Sequence, residues 1–141
     1  MAEEKLFENR IKKWFHSIGI YPAGYEEDKM TVEQVGYYLK IWGGGFQKSG
    51  IPDILICING IFIGCEVKAL DGRPSHLQIL NLRQIDRSNG YAVLLYPNQW
   101  QLFQNFIICI LAGDMVNARY NYDTLKSKWK YFDDKIRKGD F

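Results

Sequence analysis

Cysteine, histidine and excess charge are all scarce in this sequence, and each scarcity excludes a class of protein. The 141 residues include three cysteines and two histidines. Cys57, Cys65 and Cys109 lie in apolar runs without CxxC spacing, so we expect buried, reduced thiols and no disulfide framework. His16 and His76 lack the spacing and the carboxylate neighbours of zinc ligands. The formal net charge of +2 is too small to identify a nucleic-acid-binding protein by charge alone.

Long apolar runs and a basic leader are also missing. The longest apolar run, FIICILA, is much shorter than a membrane span. The N-terminal segment MAEEKLFENR is acidic where a signal peptide is basic and then apolar. We therefore expect a cytoplasmic protein with no membrane partner. Because 47% of the residues are hydrophobic, the chain can form one core, and we expect a single domain over residues 1–141.

The pattern of apolar residues predicts helices around a sheet. Four helices are predicted, at Glu3–Ile18, His76–Ser88 (N-capped by Ser75), Gln99–Leu111 and Thr124–Arg137 (capped by Asp123). Strands are predicted in VGYYLKIW (residues 35–42), in both arms of a hairpin around Asn59-Gly60, and in YAVLLY (residues 91–96). The fold class is therefore α/β (α+β), a mixed sheet with a central hairpin flanked by helices. We expect a core over about residues 3–111 and a C-terminal helical extension over about residues 112–141.

The stretch GIPDILICINGIFIGCEVK, residues 50–68, predicts a tight hairpin that brings two acids together. Asn-Gly between apolar runs is typical of a type I′ turn, which needs two residues that tolerate positive φ. With Asn59 and Gly60 as the turn, the register places Asp53 directly opposite Glu66. Alternation then puts one aliphatic set on a single face: Ile54, Ile56, Ile58, Ile61, Ile63, Cys65 and Val67. The open end of the other face carries Asp53, Glu66 and Lys68.

Two opposed carboxylates, with Cβ atoms about 4.5–5.5 Å apart, destabilise a hairpin unless something offsets their repulsion. A hard divalent cation is one candidate, because Mg²⁺ takes oxygen ligands from one or two carboxylates and fills the other positions with water and phosphate. Lys68 can then orient or deprotonate a water, or stabilise a phosphoryl oxygen. These residues suit metal-assisted phosphodiester hydrolysis. The alternative is a structural hairpin whose acids pair with Lys68 and Lys48 on a solvated face.

The two acids and the lysine also resemble a known motif. Pro52-Asp53 followed by Glu66-Val67-Lys68 resembles the PD-(D/E)XK nucleases. The segments KSGIPDILI, FIGCEVKALDGRPSHLQILNL and NGYAVLLYP resemble the VRR-NUC branch, including its small stand-alone phage and bacterial members. The similarity covers about residues 40–97. It implies a restriction-endonuclease-like core, Mg²⁺- or Mn²⁺-dependent cleavage to 5′-phosphate and 3′-hydroxyl ends, and a location in a bacterial or phage-infected host cell.

The resemblance further implies roles by position. Asp53 and Glu66 would ligate the metal ion, and the backbone carbonyl of Val67 would add an oxygen. Lys68 would serve the attacking water. Gln78, on the helix after the hairpin, stands where the family has a glutamine that braces the active site. The alternative for Gln78 is an exposed polar residue of that helix.

The family also places a glutamate of the first helix in the active site. Glu8 is the candidate in this sequence. Glu4 lies one turn earlier on the same side of the helix, so the choice between the two acids stays open. Either one can instead serve as favourable charge in the first turns of the helix.

Four residues are predicted as contacts to DNA. Lys48 and Ser49 belong to the glycine-rich loop GGGFQKSG, whose backbone can approach phosphates. An ordinary turn explains that loop equally well, and it lacks the spacing of a nucleotide-binding loop. Lys40 and Arg73 are further candidates for phosphate contact.

The C-terminal segment and the aromatic content bear on partners. The segment KSKWKYFDDKIRKGDF interleaves basic and aromatic residues, which predicts either a DNA-binding stripe or, as we prefer, an amphipathic helix that packs Trp129 and Phe132 on the core. The chain has nine tyrosines, eight phenylalanines and four tryptophans, and aromatic surfaces favour interfaces. We therefore expect a homodimer, which would suit symmetric incisions in a four-way junction. The alternative is that burial in the core explains the same residues without a partner.

The primary hypothesis from the sequence is a structure-selective DNA endonuclease that cleaves branched DNA, such as Holliday junctions, with Mg²⁺ or Mn²⁺. The alternative is a nucleic-acid-binding or assembly module that keeps the same fold and cuts nothing. A site-specific restriction enzyme is a weaker option, because the chain is too short for a dedicated recognition domain.

Overall fold

The computed structural model describes residues 2–42 and 50–141, and these residues form four α-helices and five strands. In chain order the elements are α1 (Ala2–Ile18), β1 (Ile20–Pro22), β2 (Gly36–Lys40), β3 (Ile54–Ile58), β4 (Ile61–Val67), α2 (His76–Arg87), β5 (Tyr91–Leu95), α3 (Trp100–Leu111) and α4 (Met115–Arg137). Short 3₁₀ turns occupy Glu27–Lys29 and Pro97–Gln99.

The strands form one mixed sheet in the order β1-β2-β3-β4-β5. Strands β2, β3 and β4 pair antiparallel, while β1 pairs parallel to β2 and β5 pairs parallel to β4. Helices cover both faces of this sheet. The predicted fold class, a mixed sheet with a central hairpin flanked by helices, is confirmed, and it is consistent with a restriction-endonuclease-like core.

The β3–β4 hairpin has the predicted turn and register. Asn59 and Gly60 both have positive φ, 50° and 72°, as a type I′ turn requires. The strand pairs run from Ile58 opposite Ile61 to Ile54 opposite Cys65. Six residues of the predicted aliphatic face are buried, Ile54, Ile56, Ile58, Ile63, Cys65 and Val67, and Ile61 is half-buried.

The sheet separates two apolar clusters. The larger cluster joins the aliphatic hairpin face to α1, to α3 and to the first half of α4. The smaller cluster lies on the opposite face, where α2 and the second half of α4 pack on β5. The helix α2 therefore lies on the same side of the sheet as Glu66, which alternates with the core residues of β4.

The long helix α4 begins at Met115 instead of the predicted Thr124. Its N-cap is Asp114, whose side chain accepts a hydrogen bond from the backbone N–H of Asn117 at 3.2 Å. The prediction that Asp123 caps the helix is wrong, because Asp123 lies inside α4. The first turns of α4 are mostly exposed and mix apolar with polar side chains, so their apolar periodicity is weak. The strand β1 was also not predicted, since three residues carry almost no periodic signal.

The residues of α4 close the free edge of the sheet. The strand β5 lies last in the sheet, and its Ala92 N–H donates to the Tyr122 hydroxyl at 3.1 Å. The Trp129 indole Nε1–H donates to the Ala92 carbonyl at 2.8 Å. Covering an edge in this way removes unpaired backbone groups that invite aggregation. The C-terminal segment is thus packed on the core through Trp129, as preferred above.

The three cysteines differ in their burial. All three thiols are free, and Cys65 is buried. The prediction that all three are buried is wrong for Cys57, which is exposed because it alternates with core residues on the outer face of β3.

Over residues 2–42 and 50–141, none of the helices has both the length and the apolar character needed to cross a membrane.

Candidate active site

Asp53 and Glu66 meet at the open end of the hairpin. Asp53 immediately precedes β3, and its Oδ2 accepts a hydrogen bond from the Val67 backbone N–H at 2.8 Å. The Asp53 carbonyl accepts from the Ile41 N–H at 2.8 Å. These two bonds tie Asp53 to both neighbouring strands. Its carboxylate is therefore held beside the β4 segment that carries Glu66.

Glu66 is a buried acid with an unusual environment. Its side chain is almost fully enclosed, with 2% of the residue exposed. The alternative of a structural hairpin placed both acids on a solvated face, and for Glu66 that placement is wrong. Burial, and then the neighbouring Asp53 carboxylate, raise the pKa of Glu66 to about 9, while Lys68 acts in the opposite direction. The Lys68 ammonium lies 3.7 Å from Glu66 Oε2. Among the described residues, no donor group reaches Glu66 Oε1, and the protonated carboxyl can donate to the neighbouring Asp53 carboxylate.

Gln78 holds the other oxygen of Glu66 in place. It is the third residue of α2, and its backbone N–H donates to Ser75 Oγ at 3.1 Å while its side-chain Oε1 accepts from the Ser75 N–H at 2.9 Å. This reciprocal pair is a capping box. With its oxygen held in the cap, the Gln78 amide Nε2 donates to Glu66 Oε2 at 3.1 Å. The structure thus brings Gln78 to the acids, and its part in catalysis stays a prediction.

Glu8 lies at the same end of the sheet, bound by two lysines. Its Oε1 lies 2.7 Å from the Lys40 ammonium and its Oε2 lies 2.9 Å from the Lys12 ammonium. Burial by itself raises the pKa of Glu8, but the two ammonium groups outweigh it and hold that pKa below its ordinary value. The Lys40 ammonium also lies 4.0 Å from Asp53 Oδ1. Lys40 therefore links the acid of α1 to the acid of the hairpin.

Glu4 and Glu8 of α1 both face the candidate site. Glu4, Glu8, Lys40, Trp42 and Asp53 help to line a cleft of about 190 Å³. The charge of Glu4 also contributes to the raised pKa of Glu66. The open choice between Glu8 and Glu4 is therefore not decided by position, although Glu8 is the more deeply buried of the two.

The oxygen donors of the site fit a hard cation of the Mg²⁺ class. Within residues 2–42 and 50–141, no group of three or more histidine, cysteine, aspartate or glutamate side chains is arranged to hold a metal ion. Mg²⁺ nevertheless needs only one or two carboxylates when water and phosphate complete its shell. Asp53, Glu66 and the Val67 carbonyl are the predicted ligands, and no donor group of the described residues reaches the buried Glu66 Oε1, which becomes an open acceptor when Glu66 releases its proton. The donor set therefore fits the ion.

The four residues predicted to contact DNA do not lie together in the structure as far as it describes them. Lys40 is engaged by Glu8, so its ammonium lies inside the acid cluster, and a phosphate contact by Lys40 stays a prediction. Arg73 is exposed, and its guanidinium lies over the Phe141 ring, 5.1 Å from the ring centre. Lys48 and Ser49 lie outside the described residues.

The sequence analysis did not predict that Lys12 and Lys40 offset the negative charge of the acids. Lys12 follows Glu8 by one helical turn, a spacing that predicts an ion pair and that could have been read from the sequence. Lys40 reaches the acids because it pairs with Ile54 across β2 and β3, beside Asp53. That placement depends on the strand order, which no local pattern in the sequence encodes.

The raised pKa of Glu66 predicts a stability that falls with pH. Between about pH 5 and about pH 9 the folded protein keeps a proton on Glu66 that the unfolded chain has released, so raising pH favours unfolding. Glu66→Gln removes this dependence, and we expect it to be more stable than wild type at about pH 9 by roughly 2 kcal/mol or more, with a smaller gap at about pH 6. Urea denaturation without divalent cations measures the gap. Glu3→Gln, at an exposed acid of α1, is the control, and an equal gap at both pH values would contradict the prediction.

Comparison of the chain with protein-family models, with curated proteins and with solved structures finds no match in any of the three. The resemblance to the VRR-NUC nucleases therefore rests on the motifs quoted above.

Proposed function

We propose that the protein is a metal-dependent, structure-selective DNA endonuclease that hydrolyses phosphodiester bonds. One observation carries the proposal. Glu66, an acid whose pKa burial and Asp53 raise to about 9, is enclosed beside the Asp53 carboxylate and the Lys68 ammonium, and no donor group of the described residues reaches its Oε1. A structural ion pair has no need of such an arrangement, whereas strongly perturbed acids next to a charge partner are typical of functional sites.

Each side chain of the site has a separate proposed role in hydrolysis. Asp53, Glu66 and the Val67 carbonyl would hold Mg²⁺ or Mn²⁺, which when bound stabilises charge on a phosphoryl oxygen and lowers the pKa of water. Gln78 fixes the orientation of Glu66 through the capping box. Lys68 holds its ammonium at the Glu66 oxygen, where it can orient the attacking water or stabilise developing negative charge. Glu8 or Glu4 would complete the acidic cluster.

Branched DNA, such as Holliday junctions, is the proposed substrate, and a homodimer is the proposed assembly. The substrate class follows from the resemblance, together with 5′-phosphate and 3′-hydroxyl ends and a role in DNA repair or recombination. The dimer has separate support, because exposed apolar side chains lie together near the start of α4. Val116 is 82% exposed and Tyr120 is 74% exposed. A second copy of the chain would cover them and pair two sites.

A panel of labelled DNA structures tests reaction and substrate together. We expect cleavage of branched DNA, junctions and flaps alike, in preference to nicked duplexes and linear duplexes, in the presence of Mg²⁺ or Mn²⁺ and not of EDTA. The ends of the products are read by their ability to be ligated, since a 5′-phosphate and a 3′-hydroxyl are ligated directly. Absence of cleavage of every structure with either metal would contradict the proposal.

A second candidate is a nucleic-acid-binding or assembly module that does not cleave. One observation favours it: the chain's own ammonium groups, on Lys12, Lys40 and Lys68, already lie against the acids. Junction binding in EDTA without metal-dependent cleavage would support this candidate. Metal-dependent cleavage would exclude it.

A further inference from the structure

A basic and aromatic pocket lies beyond the loop that follows Lys68. Its volume is about 580 Å³, within the range of about 300–1,000 Å³ typical of sites for small ligands. The residues that line it include Asp71, Arg73, Tyr96, Lys128, Tyr131 and Lys135. Three cations and two phenol rings thus share one concave surface with a single acid. This composition suits a ligand that is anionic and carries a flat ring.

The cations of this pocket are not neutralised by acids of the described residues. In residues 2–42 and 50–141, no salt bridge involves Arg73, Lys128 or Lys135. Lys126 of the same helix differs, because its ammonium pairs with Asp86 at 2.8 Å. The charges of the pocket therefore remain available to a phosphate.

The lysines are held beside aromatic rings. The Lys128 ammonium lies 5.3 Å from the centre of the Tyr96 ring, and the Lys135 ammonium lies 5.0 Å from the centre of the Tyr131 ring. Tyr131 is 57% exposed, so much of its ring is accessible to a ligand. Proteins bind single-stranded nucleic acid with this combination, in which bases stack on rings and cations follow the backbone.

The pocket and the candidate active site share a wall. Gly72 lies against the stem of Lys68, since a β-carbon added at Gly72 would come 3.3 Å from Lys68 Cδ. On its other side the Gly72 carbonyl accepts a hydrogen bond from the Tyr96 hydroxyl at 2.8 Å. The Lys68 backbone N–H also donates to the Leu95 carbonyl at 3.0 Å. A DNA strand that passes Lys68 would thus reach the pocket within a short length of backbone.

We propose that this pocket binds an unpaired nucleotide of the DNA strand that is cleaved, with its base on Tyr131 and its phosphate on Lys128 and Lys135. The inference rests on the proposed function and specifies its substrate. A base inside a duplex is stacked on its neighbours and cannot enter a concave pocket, whereas an unpaired base can. The pocket thereby selects DNA that exposes single-stranded nucleotides near the cut.

Fluorescence anisotropy in EDTA tests the pocket without any cleavage. The probe is a short labelled oligothymidylate, compared with a duplex of equal length and with free thymidine monophosphate as competitor. We expect Tyr131→Ala to weaken binding of the oligothymidylate about 10-fold and Lys128→Ala to reduce the salt dependence of log K by about 0.7. Tyr37→Ala, at an exposed aromatic residue of β2, and Lys130→Ala, on the same helix as Lys128 but outside the pocket, are the controls and should bind as wild type does.

The outcomes separate the pocket from the proposed function. The pocket proposal is contradicted if wild type, Tyr131→Ala and Lys128→Ala bind oligothymidylate equally well, even if wild type cleaves junctions. An equal loss of affinity for oligothymidylate and for duplex would also overturn it, because the site would then recognise charge alone. If Tyr131→Ala and Lys128→Ala lose affinity for the single strand alone, and the wild-type protein cleaves no DNA structure, the pocket proposal is upheld and the endonuclease proposal is contradicted.

Discussion

Asp53→Asn is expected to abolish metal-dependent cleavage while leaving the fold intact. Asparagine keeps an oxygen that can accept the Val67 N–H bond seen at 2.8 Å, but it removes the negative charge that a cation needs. Loss of residues that merely support metal ligands costs about 10–100-fold in affinity or activity, so loss of a proposed ligand should lower the cleavage rate by at least about 100-fold. Single-turnover cleavage of a labelled junction with Mn²⁺ measures the effect.

Two controls make the result for Asp53 specific. Asp28→Asn changes an exposed acid far along the chain from the hairpin and should cleave at the wild-type rate. Circular dichroism and urea denaturation should show that Asp53→Asn remains folded. A folded Asp53→Asn protein that cleaves as fast as wild type would mean that the hairpin acids do not perform the chemistry.

Trp129→Ala is expected to cause the largest loss of stability of any single change considered. The indole is buried, with 1% of the residue exposed, and it packs in the cluster formed by α2, α4 and β5. Replacing a buried tryptophan by alanine costs about 3–5 kcal/mol, and here it also leaves the Ala92 carbonyl without the Nε1–H that it accepts at 2.8 Å. Urea denaturation should show a transition displaced to much lower urea, or a protein that does not fold.

The effect at Trp129 can be separated into packing and hydrogen bonding. Trp129→Phe keeps much of the apolar volume and loses the indole donor, so it should fall between wild type and Trp129→Ala. Tyr131→Ala, at an exposed aromatic residue of the same helix, should change stability in the absence of DNA by less than about 0.5 kcal/mol. Equal stability of Trp129→Ala and Tyr131→Ala would contradict the packing described for α4.

The elements that could be predicted from the sequence are those with strong local signals. The hairpin follows from Asn59-Gly60 and from alternation, because a type I′ turn and a period of two together determine the register. Helix α2 follows from Ser75 and its capping box, within one residue at its end. Helix α4 was only half predicted, because its first turns expose apolar and polar residues alike and its cap at Asp114 resembles an ordinary loop acid.

The site was predicted in part, for a similar reason. Asp53 and Glu66 were expected to face each other on the hairpin, and Gln78 is close to them because α2 packs on the same sheet face. The contacts of Lys40 and Lys12 with Glu8 were not predicted. They arise where α1 meets β2 and the start of β3, and the meeting of distant elements depends on packing, which short-range patterns do not describe.

Calorimetric titration of Mn²⁺ into the wild-type protein and into Asp53→Asn tests most directly whether the opposed acids form a cation site. We expect wild type to bind Mn²⁺, more tightly as pH rises towards about 9 because the Glu66 carboxyl must release its proton, and we expect Asp53→Asn to lose this binding. Equal binding by the two proteins, or no binding by wild type with or without junction DNA, would show that Asp53 and Glu66 do not hold a metal ion.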